Sequence, residues 1–277
     1  MRIISPSIIV STVILLFFGC SLNGTIFAQQ DSSRHPFFPV ILSDAKLFFT
    51  DAGMFFTSPL RFSGDDWLLT GATAGGTAAL FLADKDVRSL MHRNQTQFLN
   101  DFSDVSRIYG EDYFGVGLSA GMYGTGLFTK NRELKMTGFM VFESITFSAA
   151  ITQTIKMIAG RSRPYVNKGN TDFHPFTIKE ERVSLPSGHS TVAFAISSVL
   201  AGRINNTYAS IGLYTLASCT ALSRVYSDEH WASDIVLGSV IGFVTGNAVL
   251  HLHDKETNTS SLHFTPMLNG VRAEFRF

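Results

Sequence analysis

KMIAGRSRP at residues 156–164, PSGH at residues 186–189 and SRVYSDEHWASD at residues 223–234 are the stretches on which the reading of this chain turns. They supply three cations, Lys156, Arg163 and Arg224, and two imidazoles, His189 and His230, with Asp234 four residues beyond His230. Pro186-Ser187-Gly188 precede an apolar run that reads as a helix beginning near His189. Ser187 suits the cap position, and Gly188 lets a ligand approach the backbone. The free N–H groups of a first helical turn, with the helix dipole, form a ready anion site. His230 and Asp234 at this spacing share one helix face. Asp234 then accepts a hydrogen bond from one ring nitrogen and leaves the other as a lone-pair nucleophile. Arginine forks match phosphate oxygens in two-point geometry, whereas lysine acts as a point charge. A capped helix or a His/Asp pair alone occurs in any protein; the three motifs in this order carry the reading. They form an inventory for holding and attacking a phosphate-shaped anion, with no metal-ligand cluster required or visible in the sequence. The residues alone do not separate Arg161 from Arg163.

The motifs lie at the ends of apolar segments. Six such segments run approximately over Trp67–Ala83, Tyr113–Phe128, Met136–Thr154, Ser190–Ala201, Tyr208–Leu222 and Asp234–Leu250. Most are short for a bilayer, which needs about 20 apolar residues. Val87, Leu90, Met91, Phe98, Leu99, Phe102, Val105 and Ile108 predict further amphipathic helix between the first two. Gly71/Gly75, Gly117/Gly121 and Gly238/Gly242/Gly246 recur at four-residue spacing, which lets helices approach closely. Residues 38–57 predict an amphipathic helix, its Phe-rich side set either on the domain or in a lipid interface. His251-Leu252-His253-Asp254 reads as a solvated helix end.

Composition narrows the class. Twenty-two basic residues balance 22 acidic ones, so nothing suggests a nucleic-acid partner. Apolar content is 45%, Phe numbers 25 and charged residues are 16%, which leans toward a helical protein in or against a membrane. Arg2, the apolar run Ile8–Phe18 and Ile26-Phe27-Ala28 predict an export signal over residues 1–28, with Gly19-Cys20 as a competing lipoprotein site. Cleavage after Ala28 leaves Cys219 as the single thiol, expected to be buried and inert. Near the C-terminus, alternating residues on both sides of Asn269-Gly270 predict a β-hairpin.

The pattern K-x6-RP, PSGH, SR-x5-H-x3-D resembles the signature of the type 2 phosphatidic acid phosphatase and vanadium haloperoxidase superfamily, and every signature position is filled. The resemblance implies an all-α fold with a six-helix core bundle over residues 60–255. An N-terminal amphipathic segment (29–59) and a C-terminal hairpin tail (256–277) flank it. It selects Arg163 rather than Arg161 for the site. It implies that His230 attacks phosphorus and forms a phosphohistidine, and that His189 protonates the leaving oxygen and then activates water. Lys156, Arg163, Arg224, Ser187 and the Gly188 N–H hold the nonbridging oxygens. No metal and no cofactor are expected.

The expected substrate is a phosphorylated lipid or a small phosphomonoester. Relatives in this superfamily act on phosphatidate, phosphatidylglycerophosphate, polyprenyl diphosphates, lipid A phosphates or soluble monoesters. Two rival readings are a vanadium-dependent haloperoxidase and a catalytically idle envelope protein that binds lipid. Six simple crossings with a removed signal would turn the site to the cytoplasm, whereas lipid-acting relatives generally face the periplasm. The expectation is therefore an exported enzyme, periplasmic and membrane-associated, with an integral membrane protein as the alternative.

Overall fold

The structure, a computed structural model, describes residues 37–254 and the backbone of residues 261–267 and 270–276. The expected signal peptide, the alternative lipidated Cys20 and the start of the mature chain lie outside the described residues. Among the described residues nine α-helices follow one another: α1 (Phe37–Phe56), α2 (Gly64–Leu80), α3 (Asp84–Arg93), α4 (Gln97–Ser106), α5 (Asp112–Phe128), α6 (Arg132–Ala159), α7 (Gly188–Ile204), α8 (Thr207–Tyr226) and α9 (Ala232–Asp254). Each of the six apolar segments is a helix, α2 and α5–α9. The amphipathic stretch between the first two resolves into α3 and α4. Two strands, β1 (Ser261–Met267) and β2 (Gly270–Arg276), pair antiparallel with Met267 opposite Gly270.

The core lies where α7 meets α6, α8 and α9. Val141 and Phe147 of α6, Ile196 and Val199 of α7, Ala217 of α8 and Val249 of α9 are fully buried or nearly so. Each large apolar side chain removed from water there stabilises the fold by about 1.5–3 kcal/mol. The glycine stripe of α9 explains how close the central pair comes. A Cβ on Gly238 would meet the Ser187 carbonyl oxygen at 2.4 Å, and one on Gly242 the Thr191 oxygen at 2.2 Å. The stripes of α2 and α5 behave otherwise. Gly71, Gly75, Gly117 and Gly121 have nothing within 4 Å of a Cβ position, so they do not serve close packing inside this chain. Helix α2 makes its main contact with α9 and leaves Trp67, Leu68 and Leu69 exposed. The packed bundle is therefore α5–α9, with α2 at its edge.

Helix α1 divides its aromatics. Phe48 and Phe55 pack on Phe147 at centroid distances of 5.5 and 5.1 Å, while Phe38, Phe49 and Phe56 are exposed. Asp44 anchors it by accepting from Lys135 Nζ at 2.7 Å and from Tyr123 Oη at 2.7 Å. Cys219 is half-buried rather than fully enclosed.

His253 corrects the reading of the last helix end. It is buried, its Nε2 lies 2.7 Å from Glu143 Oε2 and 3.4 Å from Asp51 Oδ2, and its ring meets the edge of Phe139. A partner 110 residues away in sequence turns what reads as a solvated terminus into a core position.

Candidate active site

Four helix ends meet at one end of the bundle: the C-termini of α6 and α8 and the N-termini of α7 and α9. Lys156 stands in the last turn of α6. The helix stops one turn later at Gly160, whose φ is +60° and whose N–H returns to the Lys156 carbonyl at 2.9 Å. A Cβ there would meet the His174 carbonyl oxygen at 1.8 Å, so only glycine fits this turn. The chain then runs through Arg161 and Arg163 into a short 3₁₀ turn opened by Pro164.

Ser187 caps α7, its hydroxyl accepting from Ser190 N at 3.4 Å, after a cis Leu185–Pro186 peptide. A Cβ on Gly188 would meet nothing within 4 Å, so open space lies against this first turn. Arg224 sits in the last turn of α8 and is buried. His230 lies in the loop after it, and α9 begins at Ala232 with Asp234 in its first turn. Asp234 Oδ2 accepts from Trp231 N at 2.9 Å, a carboxylate placed favourably at a helix start.

The eight residues expected from the motifs come together. His230 is buried, with Nδ1 3.6 Å from Asp234 Oδ2, which leaves Nε2 as the free nitrogen. Burial, reinforced by the positive charges of Lys156, Arg163 and Arg224, holds the His230 ring well below the ordinary imidazole pKa. His189 presents Nε2 at 3.3 Å from Glu111 Oε1. The hydrogen bond from His189, opposed by partial burial and helped by its charge and those of Arg107 and Arg224, lowers the Glu111 carboxyl below its usual range. Lys156 Nζ donates to the Val183 carbonyl at 2.5 Å. Arg163 is paired with Glu229, whose Oε2 also lies 3.8 Å from Arg224 Nη2. Among the described residues, buried Arg224 Nε and Ser190 Oγ have no hydrogen-bond partner. Unpaired buried donors at helix ends rich in positive charge suit an anion.

Several residues of this cluster carry no motif signal. Arg161 is fully buried, donating to Asp234 Oδ1 at 2.5 Å and Asp84 Oδ2 at 2.6 Å, with Phe81 against its guanidinium. It faces Asp234 rather than the open space, which separates its role from that of Arg163. Asp84 in turn accepts from Ser233 N and Oγ. Ser184 Oγ donates to Asp234 Oδ2 at 2.5 Å and lies 3.5 Å from His230 Nδ1. Asp234 is thus fixed by Arg161, Ser184 and the Trp231 N–H before it meets His230. A cleft of about 520 Å³ lined by Lys85, Arg88, His92 and Trp231 is offset from these residues and shares only the neighbour of His230.

The PAP2 superfamily model matches residues 137–258, which span Lys156 to Asp234 and all three motifs. The motif-bearing part of the chain is similar to the type 2 phosphatidic acid phosphatase superfamily. It is 25% identical over 210 residues to a lipid A 1-phosphatase of Porphyromonas gingivalis, covering 74% of this chain and 42% of that protein. It is 30% identical over 138 residues to a PA-phosphatase related-family protein of Dictyostelium discoideum, covering 44% of this chain and 51% of that one. The matches thus span about half, or less, of the length of these curated relatives. The crystal structure of a transmembrane PAP2-type phosphatidylglycerolphosphate phosphatase from Bacillus subtilis shares the fold. Its TM-score is 0.52 at 17% identity, with 78% of this chain and 97% of that one covered.

Proposed function

We propose that this chain is a metal-independent phosphatase of the PAP2 superfamily that hydrolyses a phosphomonoester or diphosphate of a lipid through a phosphohistidine on His230. The observation that carries the reading is His230 itself: a buried neutral imidazole, Nδ1 turned to an anchored carboxylate, among three cations. Nε2 attacks phosphorus while the bond to the leaving oxygen breaks. His189 gives that oxygen its proton, and the adjacent Glu111 carboxylate supports the charged ring until then. His189 next takes a proton from water, whose oxygen attacks the phosphohistidine, breaks the P–N bond and frees phosphate. Lys156, Arg163, Arg224, Ser187 and the Gly188 N–H hold the nonbridging oxygens. Phosphoryl transfer asks mainly for such positioning and charge stabilisation.

The lipid substrate class is supported by the lipid-acting relatives and by apolar surface. Exposed Ile211 and Leu222 on α8 and Val236, Phe243 and Val244 on α9 join those of α2. Helices α6 and α9 are long and apolar enough to cross a membrane. This exposure favours a membrane-embedded bundle over one merely held at a surface, with the phosphate site at one face. Export to the cell envelope remains part of the proposal and rests on the N-terminal sequence.

The test is phosphate release by the purified chain in detergent. Phosphatidate, phosphatidylglycerophosphate, a polyprenyl diphosphate, a lipid A phosphate and a soluble monoester would be compared in EDTA. We expect lipid substrates to be preferred, EDTA to leave initial rates at low temperature unchanged, vanadate to inhibit, and a rapid quench to trap acid-labile phosphate on His230. No release from any lipid, or a requirement for a divalent ion, would overturn the reading. Carbonate-washed membranes should retain the protein; release by carbonate would remove the embedded arrangement.

A further inference from the structure

A further cation stands at the edge of the phosphate site and belongs to none of the three motifs. Arg107 opens the 3₁₀ turn Arg107–Gly110, which joins α4 to α5. This turn is pinned beside His189. A Cβ on Gly110 would meet the His189 carbonyl oxygen at 2.5 Å, and Thr220 Oγ1 of α8 donates to the Ser106 carbonyl at 2.7 Å. One oxygen of Glu111 then joins two groups: Oε1 accepts from Arg107 Nη1 at 2.8 Å and stands 3.3 Å from His189 Nε2. By these two distances the guanidinium nitrogen lies within about 6 Å of the ring nitrogen. Burial first, and after it the charges of Arg163 and Arg107, lower the Arg224 pKa, so Arg107 shares the positive field of the site. Its donors are not used up. A guanidinium has five N–H groups, yet among the described residues only Nη1 of this side chain makes a hydrogen bond. Nε is 3.7 Å from the well-exposed Asp104 carboxylate, beyond hydrogen-bond reach, and the Arg107 side chain itself is 43% exposed.

We propose that Arg107 is a specificity-determining residue that holds an anionic group on the leaving side of the phosphorus under attack, which suits the site to a lipid diphosphate. The inference rests on the phosphatase reading above. In that reading His189 gives its proton to the leaving oxygen, so the leaving group departs past His189 and Glu111. An alcohol leaving there carries no further charge. In a diphosphate the second phosphorus is bonded directly to the leaving oxygen, and its own oxygens come within reach of a guanidinium about 6 Å from the ring. Lys156, Arg163 and Arg224 are engaged with the phosphoryl group being transferred. Glu111 alone repels the second phosphate; Arg107 offsets that charge and offers Nη2 in the forked geometry that suits phosphate oxygens. The outer phosphorus bonds to His230 Nε2, its bond to the bridging oxygen breaks, and the electron pair stays on that oxygen, which takes the His189 proton. A lipid monophosphate leaves against Arg107, and water frees inorganic phosphate from His230 as before. The chain beyond the second phosphate meets apolar surface, since Val105, Ile108 and Tyr113, neighbours of Arg107 and Glu111 in sequence, are exposed.

The experiment measures kcat/KM of the full-length chain in detergent for a polyprenyl diphosphate and for the monophosphate of the same polyprenol. Wild type is compared with Arg107→Gln, which removes the charge and keeps a donor for Glu111. We expect the ratio of diphosphate to monophosphate kcat/KM to fall by about 10-fold or more, the scale of one charged hydrogen bond. Arg107→Lys, which returns the charge without the fork, should recover part of that ratio and serves in its own right if Arg107→Gln fails to fold. A merely structural role, acting through Glu111 and His189, slows both substrates alike and leaves the ratio where it was. An unchanged ratio in both variants would therefore overturn the inference while phosphate release continues, leaving the phosphatase reading intact. Wild type that releases phosphate from monophosphate lipids and not from the diphosphate would overturn it as well. Release from no lipid at all would remove the phosphatase reading, and this inference with it.

Discussion

Helix α9 carries a buried histidine–carboxylate cluster at each end, and the two are built with opposite sign. Near its start, His230 and Asp234 lie among Lys156, Arg161, Arg163 and Arg224. Near its finish, His253 lies against Glu143 and Asp51. The chemistry of imidazole and carboxylate is the same in both. The surroundings set the charge that each ring meets: positive where guanidinium and ammonium groups converge, negative where carboxylates do. A histidine beside an acid therefore says little until the third neighbour is known.

The contrast is broken most directly by removing each ring. His230→Ala should lower kcat by on the order of 10⁴-fold or more, because nucleophile and acid/base act as a unit. His253→Ala should leave kcat within about threefold where it is folded, while lowering the unfolding midpoint. Initial rates and thermal melts on the same preparations would separate the two, and equal losses of turnover would erase the distinction.

Arg161 gives the next largest effect. Arg161→Ala strands Asp84 and Asp234 as buried charges, which should destabilise the chain by about 3–5 kcal/mol. Arg161→Lys, which folds more readily, should lower kcat by on the order of 10²-fold, because Asp234 and hence His230 are displaced. KM should change little, since Arg161 does not face the substrate space. A KM-dominated defect in steady-state kinetics would instead place it among the phosphate contacts. Glu111→Gln should cost kcat about 10-fold or more, within the range of general acid–base effects, with stability nearly unchanged. Unaltered turnover would leave His189 without a carboxylate partner in the reaction.

The pH profile sharpens the electrostatic half of the comparison. On the proposed mechanism catalysis needs His230 neutral, and its pKa is lowered by burial and by the neighbouring cations. The acid limb of kcat/KM should therefore lie below the ordinary imidazole value of about 6.5. Arg163→Gln removes one positive charge, favours the protonated ring and should move that limb up by about one pH unit. A limb that stays fixed would mean that it reports another group.

Much of this was legible from spacing. Local rules place Ser187 as a cap and the apolar segments as helices, because caps and periodicity are short-range, whereas His230 stands in the loop before α9 and not on one helix face with Asp234, although the two still lie 3.6 Å apart. What escaped came from long-range pairing. Arg161 meets Asp84 77 residues away and Ser184 meets Asp234 50 residues away, and neither pair has a sequence spacing to announce it. His253 reads as solvated from the sequence for the same reason. Four-residue glycine spacing was ambiguous in kind: it marks close approach in α9 but open space at Gly71 and Gly117. Gly160 could have been suspected, since a glycine one turn after Lys156 is a helix-stop signal within the first motif.

Glu229 gives the phosphate site an unusual resting condition. Its carboxylate is paired with Arg163 and lies near Arg224, so two of the three motif cations already have a counter-ion from the next residue to His230. On the proposed function, ligand capture at such a site would exchange one anion for another. The returning carboxylate would compete with freed phosphate, so the same side chain that resists entry would also hasten departure.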